Sequence, residues 1–470
     1  MLLPNASSAA TLSGQLKMNK TTIKARRLPK DPGPAGWNSL LPQRSPYPAL
    51  DTDLTVDWAI VGGGFAGMAA AHRLSQLVND DSIVILEASE LAKGPAGRNS
   101  GFMIDLPHEL TAESYTGGHD EDMKNIRLNR MAIRFACEMA KEYDFAPGTV
   151  APTGKVTAAS TEKGLRHVMD YKQHLEAIGE SFELMDHKQM HSYTGTNFYH
   201  TGLFTPGAVM IQPAAFIRQA ADGLVNKKGV RIFENSPVLQ IDLGSSTHVL
   251  KTPNGRVRAR NVIMTVNGHI ESFGFFKSKL MHVFTYASMT RKLSAEELQR
   301  LGGSADWGIL PADPIGTTVR KVSDFQGSGD RLIIRNHATL NQSLEANPAN
   351  MARAKRLQQK SFDARFPMLK GVEMEYLWGG RLCLSLNSVP AFGELRERLW
   401  SACCQNGLGT VKGTLAGMMA AELASGQPNS DYLRDFMQVE QPKRLPPEPF
   451  LSVGANSVMR FKEWQAGLEL

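Results

Sequence analysis

The pattern of apolar and polar positions changes period near residue 57. Trp58–Val61 is a short unbroken apolar run of the kind a strand buried on both faces needs. The segment FAGMAAAHRL then spreads small and apolar side chains at helical spacing, and IVIL at 83–86 is a second buried run. Together they predict a β-α-β unit beginning near Asp57. Helical spacing recurs over 121–141 and over 161–178, the latter carrying Leu165, Val168, Met169, Tyr171, Leu175 and Ile178. Strand-like runs follow at VRIF and SPVLQI (230–241), RNVIMTV (260–266) and DRLIIRN (330–336), with a helix over 351–366. A last strand, LWSACC, enters the glycine turn QNGLGT and a small-residue helix, TLAGMMAAELASG, before a Pro-rich tail. No internal repeat is evident.

Ahead of the first strand, residues 1–30 carry Lys17, Lys20, Lys24, Arg26, Arg27 and Lys30 but no acid, and are rich in Ser and Thr. That composition fits a disordered basic arm or a transit peptide. The prolines of residues 31–50 then predict coil, because each removes a backbone donor.

A chain of 470 residues, 42% hydrophobic and 21% charged, is a multidomain globular protein rather than a disordered or fibrous one. The net charge of +6 is dispersed, which argues against nucleic acid while permitting an anionic ligand. Four cysteines without CxxC spacing suggest neither a disulfide framework nor a zinc site, and point to a reducing compartment. No apolar run is long enough for a membrane span, and no secretory signal is recognisable, so a cytoplasmic location is expected. No HExxH, GxSxG or Walker lysine occurs, which leaves metal, hydrolase and kinase readings without support.

Gly62, Gly64 and Gly67 form GxGxxG between the first strand and helix. The first glycine allows the tight turn, the second lets a pyrophosphate approach the backbone, and the third allows close helix–strand packing. Glu87 ends the second strand about twenty residues after Gly67, where a carboxylate can accept hydrogen bonds from ribose hydroxyls. These features predict a bound dinucleotide.

Further motifs narrow the choice: YPAL (47–50), GPAGRNSGFM (94–103), Trp378-Gly379-Gly380, Pro390, NGLGT (406–410) and PPEPF (446–450). With these the chain resembles the D-amino-acid oxidase, glycine oxidase and sarcosine oxidase superfamily of FAD enzymes, most nearly its γ-glutamylputrescine oxidase-like branch. The resemblance implies an α/β fold, with a Rossmann-like FAD-binding domain of glutathione-reductase type and an interleaved α+β substrate domain on an antiparallel sheet. It places the FAD domain at 51–110, 202–270 and 371–430, and the substrate domain at 111–201 and 271–370. A basic arm and Pro-rich extension (1–50) and a C-terminal tail (431–470) remain outside both.

The same resemblance implies cofactor contacts from Gly62, Gly64, Phe65, Ala66, Gly67, Glu87 and Ala88, and from Arg98, Asn99, Ser100 and Gly101. Val238, Thr265, Asn267 and Gly380 follow, and Gly407, Leu408, Gly409 and Thr410 would face the flavin's N1/C2 edge. There, fixed donors would stabilise the charge that reduction creates. Cys383 stands one position from the attachment cysteine of the sarcosine branch, so non-covalent FAD is expected.

Reading WGGRLCLSLNSVPAFG (378–393) in the family's frame exposes departures. Ser385 replaces a common Thr, and Asn387 a common Asp. Leu382 occupies the position of an α-carboxylate-clamping arginine, with Arg381 displaced by one, and Val411 occupies that of a carboxylate-binding lysine, with Lys412 its neighbour. Ile333 replaces a lysine that promotes reaction with oxygen. A carboxylate without charged partners is costly to bury, so a simple α-amino acid held in the usual way is disfavoured. Arg335 and His337, at i and i+2 of one predicted strand, share a face and are the alternative anchors, Arg335 for a distal anionic group. Lys412 and His108 are further candidates, and Tyr193 and Tyr199 weaker ones.

The expected function is oxidation of a primary or secondary amine to an imine by hydride transfer to flavin N5, followed by hydrolysis, with O2 or another electron acceptor. Two alternatives stand beside it: a dehydrogenase or oxidase of an amino acid or 2-hydroxy acid, and a non-catalytic flavin-binding protein. Oligomeric state is not legible.

Overall fold

The structure is a computed structural model that describes residues 22–31, 33–106, 119–427, 431–437 and 440–470. Its first sheet is built on five parallel strands in the spatial order Arg231–Phe233, Ile83–Leu86, Asp53–Val61, Arg256–Met264 and Leu399–Cys403. The apolar runs are the reason: Ala59, Ile60, Val84, Ile85, Val262 and Ile263 are all fully buried, as strands covered on both faces require. Antiparallel strands His248–Lys251, Gln240–Asp242 and Thr22–Lys24 continue the sheet from the first half of Arg256–Met264.

Helix Phe65–Leu77 covers one face and packs against helix Val411–Ser425 at very short range. Small residues make this possible, since a Cβ added to Gly417 would overlap the carbonyl oxygen of Ala66. The early and late glycine turns, far apart in the chain, thus belong to one packed unit.

A second, mixed and mainly antiparallel sheet runs Met374–Ser385, Leu280–Thr290, Arg331–Leu340, Thr318–Val322, Trp307–Pro311, Lys155–Ala159, Thr201–Thr205, Glu183–Met185. The pairing moves two domain borders. Strands Thr201–Thr205 and Met374–Ser385, expected with the FAD domain, both pair within this second sheet. The helices expected over 121–141, 161–178 and 351–366 are His119–Glu142, Glu162–Ala177 and Pro348–Arg365. Thr161 caps the second, its hydroxyl accepting from Gly164 N at 3.0 Å.

The ends of the chain depart most from expectation. Residues 22–50, anticipated as basic arm and coil, contribute a sheet strand and the one-turn helix Gly36–Ser39, whose Trp37 is wholly buried. The tail forms helices Asp431–Met437 and Phe450–Ala466. Among the described residues, no helix is long and apolar enough to cross a membrane.

Candidate cofactor and substrate site

The early turn is shaped by its glycines. Gly62 has φ +108°, and a Cβ there would lie 3.0 Å from the carbonyl of Thr265. A Cβ on Gly67 would overlap the carbonyl oxygen of Gly62, so this glycine seats the helix on the strand. Gly64 differs, because its missing Cβ would meet only the Ala96 side chain at 3.6 Å, leaving space beside the start of helix Phe65–Leu77. Unsatisfied N–H groups and the positive end of the helix dipole face that space.

A cavity opens from this turn. Its walls are Gly62–Ala66, Glu87–Glu90, Pro237, Val238, Thr265–His269, Gln405, Gly407, Gly409 and Gly413, closed across by Ala25, Arg27, Leu28, Pro29 and Asp31. Glu87 Oε2 accepts from Gly63 N at 2.7 Å and Oε1 from Ser89 N at 3.0 Å, while burial pushes its carboxyl pKa upward. Several buried atoms of the lining have no protein partner among the described residues: Asn267 Oδ1, His269 Nδ1, His282 Nδ1 and Gln405 Oε1. Buried polar atoms are normally hydrogen-bonded, so this wall fits a polar guest.

The loop 94–101 sits between the two sheets. Arg98 donates to the carbonyls of Lys93, Gly379 and Gly33 at 2.6, 3.1 and 2.8 Å, and its own carbonyl accepts from Trp378 Nε1 at 3.1 Å. Trp37 Nε1 donates to Asn99 O at 2.8 Å, and Arg320 Nη1 to the carbonyls of Gly101 and Ile211 at 3.2 and 2.6 Å. The late turn is tied in the same way. Asn406 Oδ1 accepts from Ser385 N at 2.9 Å, and Thr410 Oγ1 donates to Phe102 O at 2.6 Å.

The expected cofactor residues therefore fall into two groups. Gly62, Gly64, Phe65, Ala66, Glu87, Ala88, Asn99, Val238, Thr265, Asn267, Gly407 and Gly409 border the cavity. Gly67, Arg98, Ser100, Gly101, Gly380, Leu408 and Thr410 are not in its wall; the contacts just given show several holding the loops that are. Leu408 packs beside Phe102, Met210 and Leu310. Gly63, Gln405, His269 and the segment Arg27–Asp31 were not anticipated. The third glycine in a row at 62–64 was a usable signal, whereas nothing local marks a basic, Pro-rich segment as a cavity wall.

Arg381 is engaged. Its guanidinium pairs with Asp31, Nε to Oδ1 at 3.1 Å and Nη2 to Oδ2 at 3.2 Å, and contacts His269 Nε2 closely. Burial first, then the Arg381 charge, pushes the His269 pKa down to about 3, so the ring is neutral and accepts from Arg381. Cys383 borders the cavity, but the neighbouring Cys404 thiol and then burial raise its pKa well above the usual range, so it is a thiol rather than a thiolate.

The shared face expected for Arg335 and His337 does not exist. A register shift opposite Thr285 and Tyr286 makes a β-bulge, with His337 at φ +59°. His337 stacks on Tyr286 and its Nδ1 lies 2.5 Å from Glu463 Oε1, whose other oxygen accepts from Arg353 at 2.8 Å. Arg335 instead follows Ile333, which packs with Trp37 and Ala287 on the opposite face. Lys412 lies in the first turn of helix Val411–Ser425 and does not border the cavity. Tyr199 is buried in the core around Trp307, where Tyr193 also packs. His108 lies outside the described residues. Among those residues, no three His, Cys, Asp or Glu side chains gather as a metal site would need.

Comparison with known proteins bears on this geometry. The family described as FAD dependent oxidoreductase (DAO) matches residues 57–423. The chain is 25% identical over 388 residues to the gamma-glutamylputrescine oxidoreductase of Escherichia coli K12, covering 81% of this chain and 86% of that protein. It is 25% identical over 417 residues to a probable oxidoreductase, OrdL, of Rhizobium meliloti, covering 85% and 90%. Among solved structures, glycine oxidase from Geobacillus kaustophilus superposes with a TM-score of 0.66 at 18% identity, over 84% of this chain and 100% of that one. An FAD-bound L-alpha-glycerophosphate oxidase from Mycoplasma pneumoniae gives 0.60 at 15% identity, over 85% and 97%. These two show the shared fold.

Proposed function

As a member of the DAO family of FAD-dependent oxidoreductases, the chain is one that, we propose, oxidises the C–N bond of a primary or secondary amine. The imine formed is hydrolysed to a carbonyl compound and a smaller amine or ammonia, with O2 as the final acceptor. Bound FAD would supply the redox chemistry, as acceptor of the hydride lost from the amine-bearing carbon.

The chain's own residues hold, orient and shield. Glu87 is placed for the adenosine ribose and the Gly62–Gly64 turn for the pyrophosphate. The turn before helix Val411–Ser425 aims backbone donors and a helix N-terminus toward the cavity, where fixed dipoles stabilise developing negative charge without reorganisation. Asn267, His269 and Gln405 supply further polar contacts. The buried Cys383, held as a thiol, supports non-covalent attachment.

The observation that carries the reading is the convergence of Gly62–Ala66 and Gln405–Gly413 on one cavity with unpaired polar atoms in its wall. An amine is favoured over an α-amino acid because Arg381, the nearest cation to the expected carboxylate clamp, is committed to Asp31. Val411 is wholly buried in the core. The kinship with gamma-glutamylputrescine oxidoreductase supports the same choice. The test is the absorption spectrum of purified protein before and after anaerobic addition of amines, α-amino acids and 2-hydroxy acids, followed by a peroxide assay in air. Bleaching by amines with peroxide release is expected. Bleaching only by α-amino or 2-hydroxy acids would overturn the substrate reading, and no bleaching by any compound would favour a non-catalytic flavoprotein.

A further inference from the structure

Arg320 and Arg335 stand on adjacent strands and project from the same face of the second sheet. Arg320 pairs in register with Ile333, and Arg335 with Thr318, two residues before Arg320. Ile333 and Val322 mark the face, since both pack in the core that holds Trp37, and Arg320 lies over the Trp37 ring at 5.1 Å. The bulge comes later in the strand, at His337, so the alternation through Arg335 is intact.

What sets Arg335 apart is the lack of any partner among the described residues, whereas Arg320 is held by carbonyls and feels the charge of Asp306. The buried arginines elsewhere include Arg381, paired with Asp31, and Arg331, paired with Glu375. Arg320 is 5% exposed and, among the described residues, hydrogen-bonds to the carbonyls of Ser100, Gly101 and Ile211 alone, with its Nε buried without a partner. Half-buried Arg335 has no hydrogen-bond or ion-pair partner among the described residues. Burial pulls both down to about 10, which leaves both charged at neutral pH. A desolvated guanidinium with no partner, as at Arg335, is unfavourable unless a ligand supplies an anion. Arg335 also does not border the cofactor cavity, so a group it holds is set apart from the reacting carbon.

Resting on the amine-oxidising reading, we propose that Arg335 receives a carboxylate carried by the substrate at a distance from its amine. The fork geometry of a guanidinium suits bidentate capture, which lysine cannot copy.

The experiment compares straight-chain primary amines with the ω-carboxylated amines of equal length and their methyl esters, in wild type, Arg335→Gln and Arg335→Lys. We expect wild type to show a KM about tenfold or more lower for the acid than for the ester or the parent amine, a ratio equivalent to one charge-assisted contact. In both variants that advantage should vanish, with KM for the neutral amine unchanged and kcat for the acid altered by less than about threefold. Binding is read separately as the rise in melting temperature of the holoenzyme on adding glutarate, expected in wild type and absent in Arg335→Gln. An equal KM for acid and ester in wild type, or a glutarate shift that survives in Arg335→Gln, would overturn the proposal. Should the Gln variant not fold, the acid–ester comparison in wild type still decides. Turnover of neutral amines without acid preference sinks this inference alone. Failure of every amine to bleach the flavin sinks the amine reading itself, and the glutarate shift then still reports on Arg335.

Discussion

Glu463 Oε1 lies 2.5 Å from His337 Nδ1, joining residues 126 apart in sequence. Through it the C-terminal helix Phe450–Ala466 is bound to the bulged strand of the second sheet, with Arg353 completing the network at 2.8 Å. Burial would raise the Glu463 carboxyl, but hydrogen bonds from His337 and Arg353 outweigh it and its pKa is lowered. A depressed carboxyl contributes stability that is present above its unfolded pKa and lost as pH falls through its folded value. Stability should therefore decline below about pH 4, the ordinary glutamate range. Glu463→Ala should make that decline smaller and cost about 1–3 kcal/mol at pH 7 in urea denaturation.

Because His337 faces this network rather than Arg335, His337→Asn is expected to lower the melting temperature while leaving substrate KM within about twofold. A large KM rise with unchanged stability would contradict the assignment of its face.

Gly64 and Gly67 should separate fold from cofactor. Gly67→Ala forces a Cβ into the Gly62 carbonyl and is expected to yield little folded protein, as followed by circular dichroism. Gly64→Ala meets only Ala96 at 3.6 Å, so the apoprotein should melt as wild type does, while flavin content on purification falls.

Asp31→Ala frees Arg381 at the cavity wall. The dissociation constant for FAD, measured by flavin fluorescence quenching, should rise about tenfold, equivalent to about 1.4 kcal/mol. Trp37→Ala empties a fully buried site beneath the 94–101 loop and should cost about 3–5 kcal/mol of stability.

Cys383→Ser is expected to leave flavin content unchanged, and acid precipitation of wild type should leave all yellow colour in the supernatant. Flavin remaining in the pellet would reveal a covalent bond.

The nucleotide unit was legible because its signals are local. Glycine spacing, an apolar run and a carboxylate at a strand end each depend on a few neighbouring residues, and Gly62, Gly64 and Glu87 lie together in the wall of one cavity. The substrate face was read less well because strand alternation assumes an unbroken ladder, and the bulge at His337 cannot be seen in LIIRNH. Arg320 was passed over since a lone arginine in a strand is unremarkable until its hydrogen-bond partners are known to be carbonyls. Trp37 and Asp31 were hidden for another reason: prolines predict coil, and coil held by single side chains such as Trp37 Nε1 on Asn99 O carries no periodicity.

The walls of the cavity come from stretches scattered along the chain, the last beginning at Gln405. A growing polypeptide leaving the ribosome therefore has no complete receptacle for the flavin until most of its length has been made. Capture of the guest then stabilises the folded state by mass action. Yield of the mature protein should accordingly track the host's riboflavin supply, with starved cells accumulating colourless, protease-sensitive chains.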